Sequence, residues 1–169
     1  MVTSFFIRRK IEALAGRSAG RSRRAVSWEK ARSLLVLCDG RDLDTIRRIL
    51  EPERKEVVFC VYAPCEGGAI AGDDSIIPVS RADLNLWGFP SERLLARVDA
   101  MKADLLIDAA PAACYATRYI AMRHSCPFKA GLLLPGQKGY DVGLVATERD
   151  AIADLFGQLL FYLRSIRAK

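Results

Sequence analysis

The 169 residues contain one histidine, His124, and five cysteines (Cys38, Cys60, Cys65, Cys114, Cys126) with no Cys-x-x-Cys spacing. Zinc needs several ligands at short paired intervals, so the sequence argues against a zinc centre, and a disulfide scaffold does not suit a chain of this size. No apolar run approaches the ~20 residues that span a bilayer. Phe5, Phe6 and Ile7 are interrupted at once by Arg8, Arg9 and Lys10. No small-residue cleavage site follows, which excludes a secretory signal and points to the cytoplasm. Glycines are missing where phosphates need them. Cys38-Asp39-Gly40-Arg41 offers one glycine instead of Gly-x-Gly-x-x-Gly, and Gly-x-x-x-x-Gly-Lys-Ser/Thr is absent. No serine has a Gly-x-Ser-x-Gly context, and no cysteine has a nearby histidine partner. The residues give no catalytic set and require no cofactor.

Acids are scarce in one stretch only. The first 32 residues hold nine basic side chains against Glu12 and Glu29, a net charge of +7, while the remainder sums to −1. Arginine dominates: Arg8, Arg9, Arg17, Arg21, Arg23 and Arg24 accompany Lys10. A cationic leader on a near-neutral body suggests a division at residue 33, with residues 1–32 as basic helix and linker and 33–169 as a folded domain. Ile7, Ile11 and Leu14 recur at helical spacing, so residues 4–15 read as a short amphipathic helix. Residues 16–24 read as a charged flexible linker.

The body alternates strand and helix patterns. Strands are expected at 33–40, 56–64, 75–80, 103–110, 128–135 and 140–147. Pro78 suggests an edge position for the third. Helices are expected after Asp42 or Asp44, after the Ser91 cap, over 112–124, and from Glu148 to about Ala168. On the last of these, Ile152, Leu155, Phe156, Leu159, Tyr162, Leu163 and Ile166 form the apolar stripe. The pattern predicts an α/β, three-layer Rossmann-like domain with a mostly parallel five- or six-stranded sheet, preceded by the basic amphipathic helix.

In such a fold, ligands bind where loops leave the strand ends. Asp39, Asn85, Trp87 and Asp108 are therefore the candidate ligand contacts. Asp39 has a competing role in a turn, and Trp87 a competing role in anchoring its loop. His124 reads as a helix-end or solvent residue rather than a catalytic one.

Asn85-Leu86-Trp87-Gly88, Asp104-Leu105-Leu106-Ile107-Asp108 with Tyr119-Ile120, and Lys129-Ala130-Gly131 follow the basic leader in order. Over nearly the whole chain this resembles a family of small bacterial proteins known as domain of unknown function 6913. The resemblance implies a cytoplasmic Rossmann-like protein and no activity. The segment from Asp104 to Leu132 also looks faintly like part of one half of a heptosyltransferase, which needs two such domains.

The expected function is accordingly non-enzymatic binding. Arg8, Arg9, Lys10, Arg17, Arg21, Arg23 and Arg24 would dock on an anionic partner, RNA or a ribonucleoprotein first. One alternative is an anionic membrane surface entered by Phe5, Phe6, Ile7, Ile11 and Leu14. Another is a nucleotide or sugar-nucleotide enzyme using the strand-end residues. A simpler reading packs the apolar face of the leader on the body and leaves its arginines in solvent.

Overall fold

The computed structural model describes residues 2–18, 25–63 and 73–167. Six strands form one all-parallel sheet: β1 (Ser33–Asp39), β2 (Glu56–Tyr62), β3 (Ile76–Val79), β4 (Leu105–Asp108), β5 (Lys129–Leu133) and β6 (Val142–Val145). Their order is β3-β2-β1-β4-β5-β6. β1 lies centrally, with Leu34 opposite Val57 on one side and Leu105 on the other. The expected three-layer, Rossmann-like architecture is observed, with six strands. β3 is indeed an edge strand, so Pro78 removes no hydrogen bond from the sheet interior.

Alternate residues of β1 feed two cores. Leu34, Val36 and Cys38 face α2 (Leu43–Leu50) and α5 (Ile152–Ser165), where Ile46, Phe156 and Leu159 are fully buried. Leu35 and Leu37 face α3 (Glu92–Asp99) and α4 (Tyr115–Arg123), packing on Leu94, Leu95, Val98 and Ile120. Ser91 caps α3 as expected, its Oγ accepting the Leu94 N–H at 3.3 Å. Asp42 occupies the N-cap position of α2 but makes no side-chain capping bond. On α5, Leu160 is buried and Tyr162 is about half exposed, so the apolar stripe is rotated away from Tyr162.

The segment before β1 belongs to the body. Trp28 and Ala31 are buried in the main core. The Trp28 indole N–H donates to Glu53 at 2.7 Å, and Lys55 Nζ donates to the Trp28 and Ala31 carbonyls at 2.6 Å each. Asp104 accepts the Arg32 and Ser33 N–H groups at 2.8 and 3.1 Å, which holds its carboxyl below the usual range. Continuous structure therefore runs through the boundary expected at residue 33.

Helix α1 (Val2–Ser18) is longer than expected and lies against α4. Ile7 and Ile11 are buried on Met122, flanked by Leu14, Phe89, Tyr115 and Tyr119. Their burial contributes about 3–6 kcal/mol in hydrophobic transfer, enough to hold a helix that would be marginal alone. The leader is thus docked on the body through its apolar face. β5 returns to β6 through residues 134–141 without a helix, and part of that loop lines a cavity together with α1. Gly139 closes that loop with φ +131°, and a Cβ there would meet Met122 Sδ at 2.6 Å. Among the described residues, no helix is long and apolar enough to cross a membrane.

Candidate functional site

The sheet order reverses between β1 and β4, which opens a crevice at their carboxyl ends. Asp39 and Asp108 end these two strands on the α4 side. Asp39, Asn85 and Trp87 line one cleft of about 770 Å³ with Tyr62, Arg81 and Tyr115. Asp108 does not line it.

Two of the three cleft residues are engaged by their own loops. Asp39 Oδ1 accepts the Arg41 N–H at 2.9 Å and Arg41 Nε at 3.1 Å, and Arg41 Nη2 reaches Oδ2 at 3.2 Å. This is the turn role anticipated for Asp39. Asn85 Oδ1 accepts the Trp87 and Phe89 N–H groups at 2.9 and 3.0 Å, folding the loop around itself. Trp87 remains about half exposed and meets Phe6 of α1 edge-on, with centroids 5.1 Å apart.

Asp108 is buried and belongs to a different cluster. Its Oδ2 accepts the Tyr140 hydroxyl at 2.5 Å, and its Oδ1 accepts the Ala110 N–H at 3.2 Å. Burial pushes its carboxyl up to about 6, against the opposing pull of Tyr140, Ala110 and Arg118. The folded state therefore keeps a proton that the unfolded chain releases. That stability is fully present below the unfolded value of 3.8 and is lost as pH rises through about 6. Chemical denaturation should show wild type losing about 2 kcal/mol relative to Asp108→Asn between pH 4.5 and pH 8. A pH-independent difference would refute the burial account. His124 has the opposite sign, because burial lowers its pKa and its contribution fades as pH falls. It is common to both chains and cancels.

His124 corrects the solvent reading. It is buried, its Nε2 lies 3.2 and 3.1 Å from the Val98 and Met101 carbonyls, and its Nδ1 accepts the Cys126 N–H at 3.0 Å. These bonds tie the end of α4 to the end of α3. Cys38 and Cys60 are fully buried thiols, the first pushed up to about 12 by burial. Among the described residues, no three His, Cys, Asp or Glu side chains gather as metal ligands.

The outward face of α1 presents Arg8, Arg9, Lys10 and Arg17, all exposed, with Glu12 as the only acid of the helix. Among the described residues, none of these cations forms an ion pair. The Arg8 guanidinium lies 5.8 Å from the Tyr115 ring centroid. Arg21, Arg23 and Arg24 fall outside the described residues. Phe5, Phe6, Leu86 and Trp87 are exposed beside this face. Ile7, Ile11 and Leu14 are turned into the body, so the expected insertion of all five apolar leader residues into a membrane reduces to Phe5 and Phe6.

The sequence reading missed Tyr140 and Arg118. Arg118 carried a usable signal: it lies three residues after Tyr115 and four before Met122, on the packed face of α4.

The chain matches no protein-family model, no curated protein and no solved structure.

Proposed function

We propose that this is a cytoplasmic, non-enzymatic docking protein whose helix α1 presents a fixed row of cations to an anionic partner, structured RNA or a ribonucleoprotein first. The observation that supports the reading is the exposure of Arg8, Arg9, Lys10 and Arg17 without carboxylate partners among the described residues, on a helix whose other face is locked to α4. A cation row already held in place loses less freedom on binding than a flexible tail does. Arginine forks suit phosphate oxygens. Kinship with domain of unknown function 6913 is part of this proposal and assigns no reaction. The enzyme reading gains little support, because Asp39 and Asn85 are taken up by their own loops.

A second reading, attachment to an anionic membrane surface, is favoured by one observation. Phe5, Phe6, Leu86 and Trp87 form an exposed apolar patch next to Arg9 and Lys10. Fluorescence anisotropy with a structured RNA, paired with flotation on anionic vesicles, separates the two. The RNA reading expects affinity to fall by about 10³-fold or more between 50 and 200 mM salt, given seven docking cations among the nine basic positions of the leader. Flotation without RNA binding would transfer the proposal to the membrane. Absence of both RNA binding and flotation would end it.

A further inference from the structure

Arg118 is a buried cation that feels the Asp108 carboxylate electrostatically but makes no direct ion pair with it. It is 4% exposed, and its Nη2 donates to the Lys138 carbonyl at 2.7 Å. Its guanidinium lies 5.3 Å from the Tyr140 ring centroid. Nη1 is buried and has no hydrogen-bond partner, and among the described residues Arg118 forms no ion pair. Guanidinium burial is unfavourable unless a partner compensates for lost hydration. An unsatisfied buried donor of this kind calls for a partner.

Arg118 lines a cavity of about 650 Å³, together with Arg8, Tyr115, Gln137, Lys138 and Tyr140. The cavity lies between α1, α4 and the β5–β6 loop. Its volume lies in the small-molecule range and is far too small for a folded polymer. Three cations border it against two acids, Glu12 and Asp141, and the Asp141 carboxylate already accepts the Lys129 N–H at 2.8 Å.

We propose that this cavity binds a small phosphorylated metabolite, with the phosphate paired to Arg118 at its inner wall and to Arg8 and Lys138 at its mouth. The Lys138 carbonyl holds Nη2 and leaves Nη1 as the donor for the anion. Gly136 and Gly139, at φ +80° and +131°, flank that carbonyl in a loop built on glycine backbone. Of the four exposed cations of α1, Arg8 borders the site, whereas Arg9, Lys10 and Arg17 do not line it.

Calorimetric titration of the full chain with inorganic phosphate at constant ionic strength tests this. Wild type is expected to show saturable one-site binding. Arg118→Met is expected to weaken it about 10- to 100-fold, the value of one charge-assisted contact. Arg118→Lys should fall between the two. The triple variant Arg9→Ser, Lys10→Ser, Arg17→Ser should keep wild-type phosphate binding even where it loses RNA. If Arg118→Met does not fold, Arg8→Gln, at an exposed position, should still weaken phosphate several-fold. Wild-type binding by Arg118→Met, loss of phosphate in the triple variant, or no saturable binding by wild type would each overturn the proposal.

Discussion

Replacing Arg9, Lys10 and Arg17 together by serine is expected to make the salt dependence of RNA binding shallower by about 2–3 in log–log slope, and to lower affinity at least tenfold at low salt. Each residue is exposed and makes no ion pair among the described residues. The substitutions remove charge without opening a cavity or orphaning a buried group, and surface changes of that kind seldom move stability by more than about 0.5 kcal/mol. Binding and folding are therefore separable in this variant. An unaltered slope with an unaltered melting temperature would show that the α1 cations play no part in docking.

Gly131→Val carries the largest expected loss of stability. Gly131 sits in β5 directly beneath the Tyr140 ring, and a Cβ there would lie 2.6 Å from Cε2 and 2.8 Å from Cζ. The ring has little freedom to retreat. Its hydroxyl is held by Asp108, and the Arg118 guanidinium lies against its face. Displacing it strands the buried Asp108 carboxyl and opens the wall of the phosphate cavity. Overpacking of about 1–3 kcal/mol and an orphaned buried acceptor of about 1–3 kcal/mol act together, so a loss of roughly 3–5 kcal/mol is expected in chemical denaturation. Gly131→Val should cost less in a Tyr140→Ala background than in wild type, because the clash and the Tyr140–Asp108 bond are already gone there. An equal cost in both backgrounds would place the strain elsewhere.

The sheet was legible because its determinants are local. Continuous apolar runs ending in polar residues marked β1 and β2, and Pro78 marked an edge. The outer margin of α5 was misassigned because Tyr162 fits a helical stripe as well as Leu160 does, and only the seating of α5 on the sheet decides between them. The site was less legible for two reasons. Asp108 finds Tyr140 thirty-two residues away, a pairing set by the β5–β6 loop rather than by spacing. Arg118 is charged, and charged residues are ordinarily assigned to the surface. Residues 4–15 were read correctly as helix, whereas residues 16–18, read as linker, continue α1; periodicity alone does not say whether an apolar face meets a body, a membrane or a second chain. Met122 and its aromatic neighbours answer that for Ile7 and Ile11.

Arginine-selective labelling of the intact chain, read by mass spectrometry with and without structured RNA, tests the docking claim most directly. Arg8, Arg9 and Arg17 should be protected by RNA, while Arg48, Arg54 and Arg93, exposed elsewhere on the body, should label as before. Protection of those three with none on α1, or protection spread evenly over the surface, would contradict it.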